Sequence, residues 1–201
     1  GIEALTRAPH VRRLERLNLA WNSVGPKGAK FLAETPFRRL RMLNLEKNRL
    51  GGDGLKALID SSWFARLAYL NLSHCGLSSS SVALLGTRAR LDRLESLLLS
   101  SNRISAQGAL GLAEGKFPKL RHLLLGGQRI NTKGVEALAR APWLRRLQSL
   151  SLTCESLEDR GFGALAKSDL RALESLARHL PAHARRISRG LLGRHGAGNV
   201  G

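Results

Sequence analysis

The sequence predicts an α/β fold: a right-handed solenoid bent into a horseshoe, with a parallel sheet on its concave face and short helices on its convex face. Three observations carry this. A word of the form L-x-x-L-x-L-x-x-(N/C/Q/E)-x-(L/I/V) begins at Leu14, Leu40, Leu67, Leu94, Leu120 and Leu147, at intervals of 26 or 27 residues. Self-similarity at such a period means stacked units, each one strand–turn–helix coil that cannot bury its apolar side alone. Inside every word two leucines alternate with other residues, and fourteen residues past the start stands a glycine (Gly28, Gly54, Gly108, Gly134, Gly161), replaced once by Ser81.

Residues 1–13 read as the helix half of a partial repeat, because Gly1-Ile-Glu-Ala-Leu5 matches Gly134-Val-Glu-Ala-Leu138. The chain thus opens in mid-repeat and without an initiator Met, and it is expected to be a section of a longer array or the product of a mis-started reading frame. Residues 14–172 hold six leucine-rich repeats. The pairs Leu17/Leu19, Leu43/Leu45, Leu70/Leu72, Leu97/Leu99, Leu123/Leu125 and Leu150/Leu152 have period two, that of a short strand with one buried face. Apolar pairs such as Ala29/Leu32 and Val135/Leu138 follow the glycine and mark a short outer helix. Pro9, Pro36, Pro118 and Pro142 end helices or open connectors. The residue eight past each start is Asn22, Asn48, Cys75, Asn102, Gln128 and Glu155. An inward amide there can satisfy backbone groups of the adjacent coil, so these residues should stack as a ladder that Glu155 breaks. Residues 173–180 are a degenerate seventh repeat or cap: Leu173 and Leu176 keep register, but Arg178 replaces a core leucine and Pro181 takes the amide position. Residues 181–201 form a basic, Gly-rich tail, expected to be disordered.

Composition narrows the function. Aromatic residues make up only 4% of the chain, so leucine must carry the core. The net charge is +18, and 25 of the 33 basic residues are arginine, which favours acidic proteins, nucleic acid or anionic membrane as partners. Cys75 and Cys154 lie in different repeats with no CxxC spacing, which argues against a disulfide framework or zinc site and for a reducing, cytoplasmic location. No signal peptide and no apolar run of membrane-spanning length is visible.

The unit LERLNLAWNSVGPKGAKFLAE, residues 14–34, resembles the ribonuclease-inhibitor-like class of leucine-rich repeats, and more closely bacterial arrays built on L-x-x-L-x-L-x-x-N-x-L/I-G-x-x-G-x-x-x-L. The resemblance runs from Gly1 to about Leu176 and implies a horseshoe whose strand-lined face binds macromolecules. Members of the class include inhibitors, receptor sensor arms, GTPase regulators and bacterial effectors. The inhibitor is acidic and cysteine-rich, whereas this chain is basic and cysteine-poor, so an inhibitor role toward a basic nuclease is disfavoured by charge.

Two sets of side chains are candidate sites. The strand pattern places residues two, four, six and seven past each start on the concave face. The large or charged ones are Arg16, Trp21, Met42, Glu46, Lys47, Tyr69, His74 and His122. All but His122 fall in the first three repeats, and Trp, Tyr and Arg are enriched in interface hot spots. The plainer reading is a concave face that tolerates any residue. The second set precedes each start: Arg13, Arg39, Arg66, Arg93, Lys119 and Arg146, a basic stripe along one edge. It could dock phosphates, or it could be a solvated edge whose arginine stems cover the leucines beneath.

Enzyme signals are poor. His74 and Cys75 are adjacent, but neighbouring strand residues face opposite ways, so thiolate activation is not expected. His179 and His183 flank Pro181 and lack a third metal ligand. The GxGxxG at Gly196–Gly201 follows no strand and opens no helix. Asn71-Leu-Ser73 is a glycosylation acceptor only in form, since it lies in an expected strand, and Glu155, Glu158 and Asp159 lack a metal-loop pattern. The sequence is read as a non-enzymatic, cofactor-free protein-interaction scaffold whose partner presents an acidic protein surface. Nucleic-acid or anionic-surface binding, through the stripe and the tail from Arg185 to Arg194, is the alternative, weakened by the lack of aromatics interleaved with the basic column.

Overall fold

The computed structural model describes residues 1–154, 159–168, 170, 172–173 and 175–176. Among these residues seven strands form one open parallel sheet in chain order. They are β1 (Arg16–Asn18), β2 (Met42–Asn44), β3 (Tyr69–Asn71), β4 (Ser96–Leu98), β5 (His122–Gln128), β6 (Ser149–Cys154) and β7 (Ser175–Leu176). The helices are α1 (Ile2–Arg7), α2 (Gly25–Glu34), α3 (Gly51–Ile59), α4 (Ser79–Thr87), α5 (Ala106–Ala113), α6 (Thr132–Ala139) and α7 (Asp159–Lys167). Strand, turn, helix and return repeat once per coil, so each strand lies beside the next in sequence and each helix beside the next helix.

The register is the one the leucine period demands. Leu17, Leu43, Leu70, Leu97, Leu123 and Leu150 stand opposite one another across the sheet. All point inward and are buried, together with the second leucine of each pair from Leu45 to Leu152. Between sheet and helices lies a single core of these leucines, closed on the helix side by Ala29, Leu32, Leu55, Leu58, Val82, Leu85, Leu112, Val135 and Leu138.

The expected amide ladder is present from Asn48 to Gln128, whereas the exposed Asn22 donates only within its own coil, to Leu19 O (3.1 Å) and Ala20 O (2.9 Å). Asn48 donates to Leu19 O (2.8 Å) in the preceding coil and to Leu45 O (3.0 Å) in its own, and accepts from the Val24 amide (3.0 Å). Asn102 repeats the pattern: it donates to Leu72 O (2.9 Å) and Leu99 O (2.7 Å) and accepts from the amides of Cys75 (3.1 Å) and Leu77 (3.0 Å). Gln128, one methylene longer, reaches back only, to Leu99 O at 2.6 Å and the Ile104 amide at 3.1 Å. Cys75 occupies the same slot with one weak donor, its S–H on Leu45 O at 3.0 Å. Every bond to the preceding coil satisfies a backbone group that the parallel ladder leaves free at the strand-to-turn corner. Glu155, the expected break, lies outside the described residues, as do Arg178, Pro181, His179, His183 and the tail.

On the helix side the glycines and small residues let helices approach closely. A Cβ on Gly86 of α4 would fall inside the Gly111 carbonyl of α5, and one on Gly111 would meet Ala83 Cα at 2.7 Å. The α4–α5 contact is therefore backbone against backbone, a closeness that the sequence pattern of one glycine per repeat did not announce. Ser81 replaces that glycine without strain because its hydroxyl closes a capping box with Ser78 and the facing residue is Gly52. Two aromatic pairs fill the connectors. Trp63 packs edge-on to Phe37 (5.4 Å) and donates Nε1–H to Leu32 O (3.2 Å); Trp143 packs edge-on to Phe117 (6.0 Å) and donates to Leu112 O (3.2 Å). Each indole ties the C-terminal end of one helix to the next coil, and the two pairs stand three repeats apart.

Asn102→Ala leaves two buried amides and two carbonyls without their partner and should lower stability by about 3 kcal/mol, read as a shift of the urea midpoint. Gly86→Ala should cost about 3 kcal/mol or more through overpacking of α4 on α5. Gly52→Ala, whose Cβ would make an ordinary 3.4 Å contact, should leave the thermal midpoint unchanged or raise it.

Candidate functional site

The sequence-predicted sheet-face residues fall into two columns. Arg16, Met42, Tyr69, Ser96, His122 and Ser149 share one register line on the outer face of the sheet. The first three repeats put large side chains there and the later ones put serine, except for His122. Burial pushes the Tyr69 phenol up from its ordinary pKa; its hydrogen bond with Asn71 opposes this and the Glu46 carboxylate adds to it.

The second column has a different origin from the one expected. Trp21, Lys47 and His74, seven past their starts, lie beyond the strands, in the turn, with φ of 63°, 54° and 54°. Ser101 (54°) and Gly127 (66°) hold the same place in the next two repeats. In the first three repeats the turn is set by the asparagine four past the start. Asn18, Asn44 and Asn71 each accept, through Oδ1, the amide two residues on, at 3.0 Å. That Asx turn caps the strand end, and the next residues swing the chain so that the following side chain points into the ladder. Leu98, Leu124 and Ser151 replace these asparagines; β4 still ends after three residues, at Leu98, whereas β5 and β6 run on for seven and six. The left-handed backbone costs a non-glycine residue about 1–2 kcal/mol and aims its side chain outward.

At the N-terminal end these features converge. Trp21 is 70% exposed, and Lys47 Nζ sits 3.4 Å from the centre of its ring, a cation–π pair. Glu46 accepts from Asn71 Nδ2 at 3.3 Å beside the half-buried Tyr69. His74 is exposed in the same turn column, and Met42 and then Arg16 precede Tyr69 along the strand column. His122 stands two strands beyond Tyr69, away from this group.

His74 and Cys75 do face opposite ways, but the left-handed turn at His74 causes it rather than strand alternation, since β3 ends at Asn71. Burial pushes the Cys75 thiol up to about 12, and its S–H is engaged by the Leu45 carbonyl, so it is a structural residue. Asn71 is buried with its side-chain oxygen and nitrogen both engaged, which leaves no free acceptor for a glycan. Among the described residues no group of three or more His, Cys, Asp or Glu could hold a metal ion, and no helix is long and apolar enough to cross a membrane.

Of the basic stripe, Arg13, Arg39, Arg93, Lys119 and Arg146 are exposed. Arg66 is half-buried and works inside the fold: its guanidinium donates to Phe37 O at 2.6 Å and Ser62 O at 3.3 Å. The roles of the strand-end asparagines and of the turn column were not read from the sequence. Their signal is there, however, in asparagine at the same offset in three successive repeats.

Sequence models of the leucine-rich repeat match residues 12–33, 39–58 and 66–87. Over these residues the chain is built of leucine-rich repeats. No curated protein matches it. Among solved structures it is similar to the Leiomodin-1 Actin-Binding Site 2 (ABS2), with 19% identity over 64% of this chain and 80% of that one, at a TM-score of 0.51. That likeness is one of fold.

Ser101→Gly, which removes a non-glycine residue from the left-handed turn without touching the core, should stabilise the protein by about 1 kcal/mol, measured as a raised thermal midpoint.

Proposed function

We propose that this chain is a non-catalytic scaffold that captures a protein partner on the sheet side of its first three repeats. The observation that carries the reading is Trp21: a large aromatic side chain in a left-handed turn, with most of its surface open to solvent and one face of its ring held by Lys47. A turn glycine would serve the fold better, as Gly127 does at the same place four repeats on. The Trp21–Lys47 pair, Tyr69 and His74 form an aromatic and cationic patch on a parallel sheet whose backbone is fixed by the amide ladder, so little ordering entropy is lost on association. Lys47 and Arg16, with the chain's net positive charge, select a partner with an acidic surface. Arg16, Met42 and Glu46 supply the rim of the patch, and His122 lies outside its centre.

The test is affinity capture with the purified chain as bait, purified actin serving as a first defined probe because a structural relative carries an actin-binding segment. Trp21→Ala with Tyr69→Ala should reduce recovery of the captured protein at least tenfold, while Ser149→Ala, on the same column in the sixth repeat, leaves it unchanged. Equal capture by both variants would refute the N-terminal patch.

A further inference from the structure

Along the edge where the strands begin, the structure contains one basic cleft built twice. The first, about 200 Å³, is lined by Glu15, Arg38, Arg39, Leu40, Arg41 and Arg66. The second, about 490 Å³, includes Glu95, Lys119, Leu120, Arg121, Arg145 and Arg146. Five of these positions correspond across three repeats: Glu15 to Glu95, Arg39 to Lys119, Leu40 to Leu120, Arg41 to Arg121 and Arg66 to Arg146. Beneath both runs the same backbone pattern that recurs at Arg41, Ala68 and Arg121. The Glu15 carbonyl accepts the amides of Arg41 (2.9 Å) and Met42 (3.0 Å), and the Glu95 carbonyl accepts those of Arg121 and His122, both at 2.9 Å.

Among the described residues each cleft gathers four cations around one carboxylate. None of the eight cations has a carboxylate within ion-pairing distance among the described residues, where the pairs are Arg7–Glu3, Arg88–Asp60 and Arg160–Glu136. In the first cleft the buried Arg66 Nε has no hydrogen-bond partner. Unpaired like charges in a recess repel one another and raise the local concentration of anions. Three strand steps put the clefts about 14 Å apart, with the exposed Arg93 in the stripe between them.

The chemistry selects the anion. Seven of the eight cations are arginine, whose planar fork matches phosphate oxygens in pairs. Two discrete recesses at a fixed spacing suit a polyanion with regularly projecting phosphates better than the flat surface of a bilayer. No aromatic side chain lines either cleft, so stacking on unpaired bases has no platform there. We propose that this edge grips the phosphodiester backbone of double-stranded nucleic acid without reading bases, one cluster of phosphates to each cleft. The surface is distinct from the Trp21 patch, and neither reading depends on the other.

The experiment is fluorescence anisotropy of a short mixed-sequence DNA duplex with the full chain, titrated at several salt concentrations. The expected result is binding that weakens linearly in log–log form with salt. Arg39→Ala with Arg41→Ala, and Lys119→Ala with Arg121→Ala, should each lower affinity about tenfold, and the four together about a hundredfold, with the salt slope reduced by about 3–4. Arg49→Ala with Arg129→Ala removes the same charge at the turn side and should change affinity less than about twofold. Trp21→Ala with Tyr69→Ala should bind the duplex as the parent does. All variants retain Arg66 and Arg146; where alanine lowers the thermal midpoint, glutamine at the same positions replaces it. The proposal is overturned if the turn-side variant loses as much affinity as the cleft variants, if the cleft variants bind like the parent, or if single-stranded DNA or poly-glutamate competes equally at matched charge. Binding to phosphatidylserine vesicles without binding to the duplex overturns it too.

Discussion

Each coil of this chain can hide its leucines only against the coils beside it, and the buried amide at the strand-to-turn corner fastens one coil to the next. Parallel strands of three residues have few backbone bonds to hold their register. Asn48 and Asn102 supply what is missing, each binding carbonyls just past the strands of two successive coils while accepting from amides of the preceding turn. Because those bonds are made in the dry interior, losing one strands its partners as well. The outer columns follow from this constraint. If the amide must point in at one position, the residue before it must turn out, and the left-handed backbone at Trp21, Lys47, His74 and Ser101 is the geometry that does so.

The surface is thus a by-product of the interior, and this separates what repetition explains from what it does not. A left-handed residue in every turn is structural. A tryptophan there, open to solvent and stacked under a lysine, serves no packing need of the coil. Arg66 gives the opposite lesson. It belongs by sequence to the exposed stripe, yet its guanidinium holds the connector carbonyls of Phe37 and Ser62, so it contributes to the fold whatever the edge binds. Of the two basic clefts, the first has this structural arginine as its wall, and the second has the exposed Arg146.

The fold was legible in the sequence because its cause is periodic: leucine at fixed offsets can satisfy only one stacking. From Asn48 to Gln128 the ladder was legible for the same reason. What could not be read depends on distances between residues of different repeats. The Gly86–Gly111 approach joins positions at different offsets, so no column of the alignment shows it. The indole bonds of Trp63 and Trp143 to helix-end carbonyls recur at three repeats, not one, and a search for the single-repeat period passes over them. The same longer spacing relates the two basic clefts. In the candidate patch, residue identities are visible, but the turn that presents Trp21, Lys47 and His74 reads as strand in the sequence, because the asparagine that caps it sits at a position that also fits a strand.

The alignment of the leucines across the sheet can be observed in solution through backbone nuclear Overhauser effects on labelled protein. The account requires Leu70 to show inter-strand contacts to Leu43 on one side and to Leu97 on the other, in parallel register, with the side-chain amide protons of Asn102 protected from exchange. A shifted register, or Asn102 amide protons exchanging as freely as those of an exposed asparagine, would contradict it.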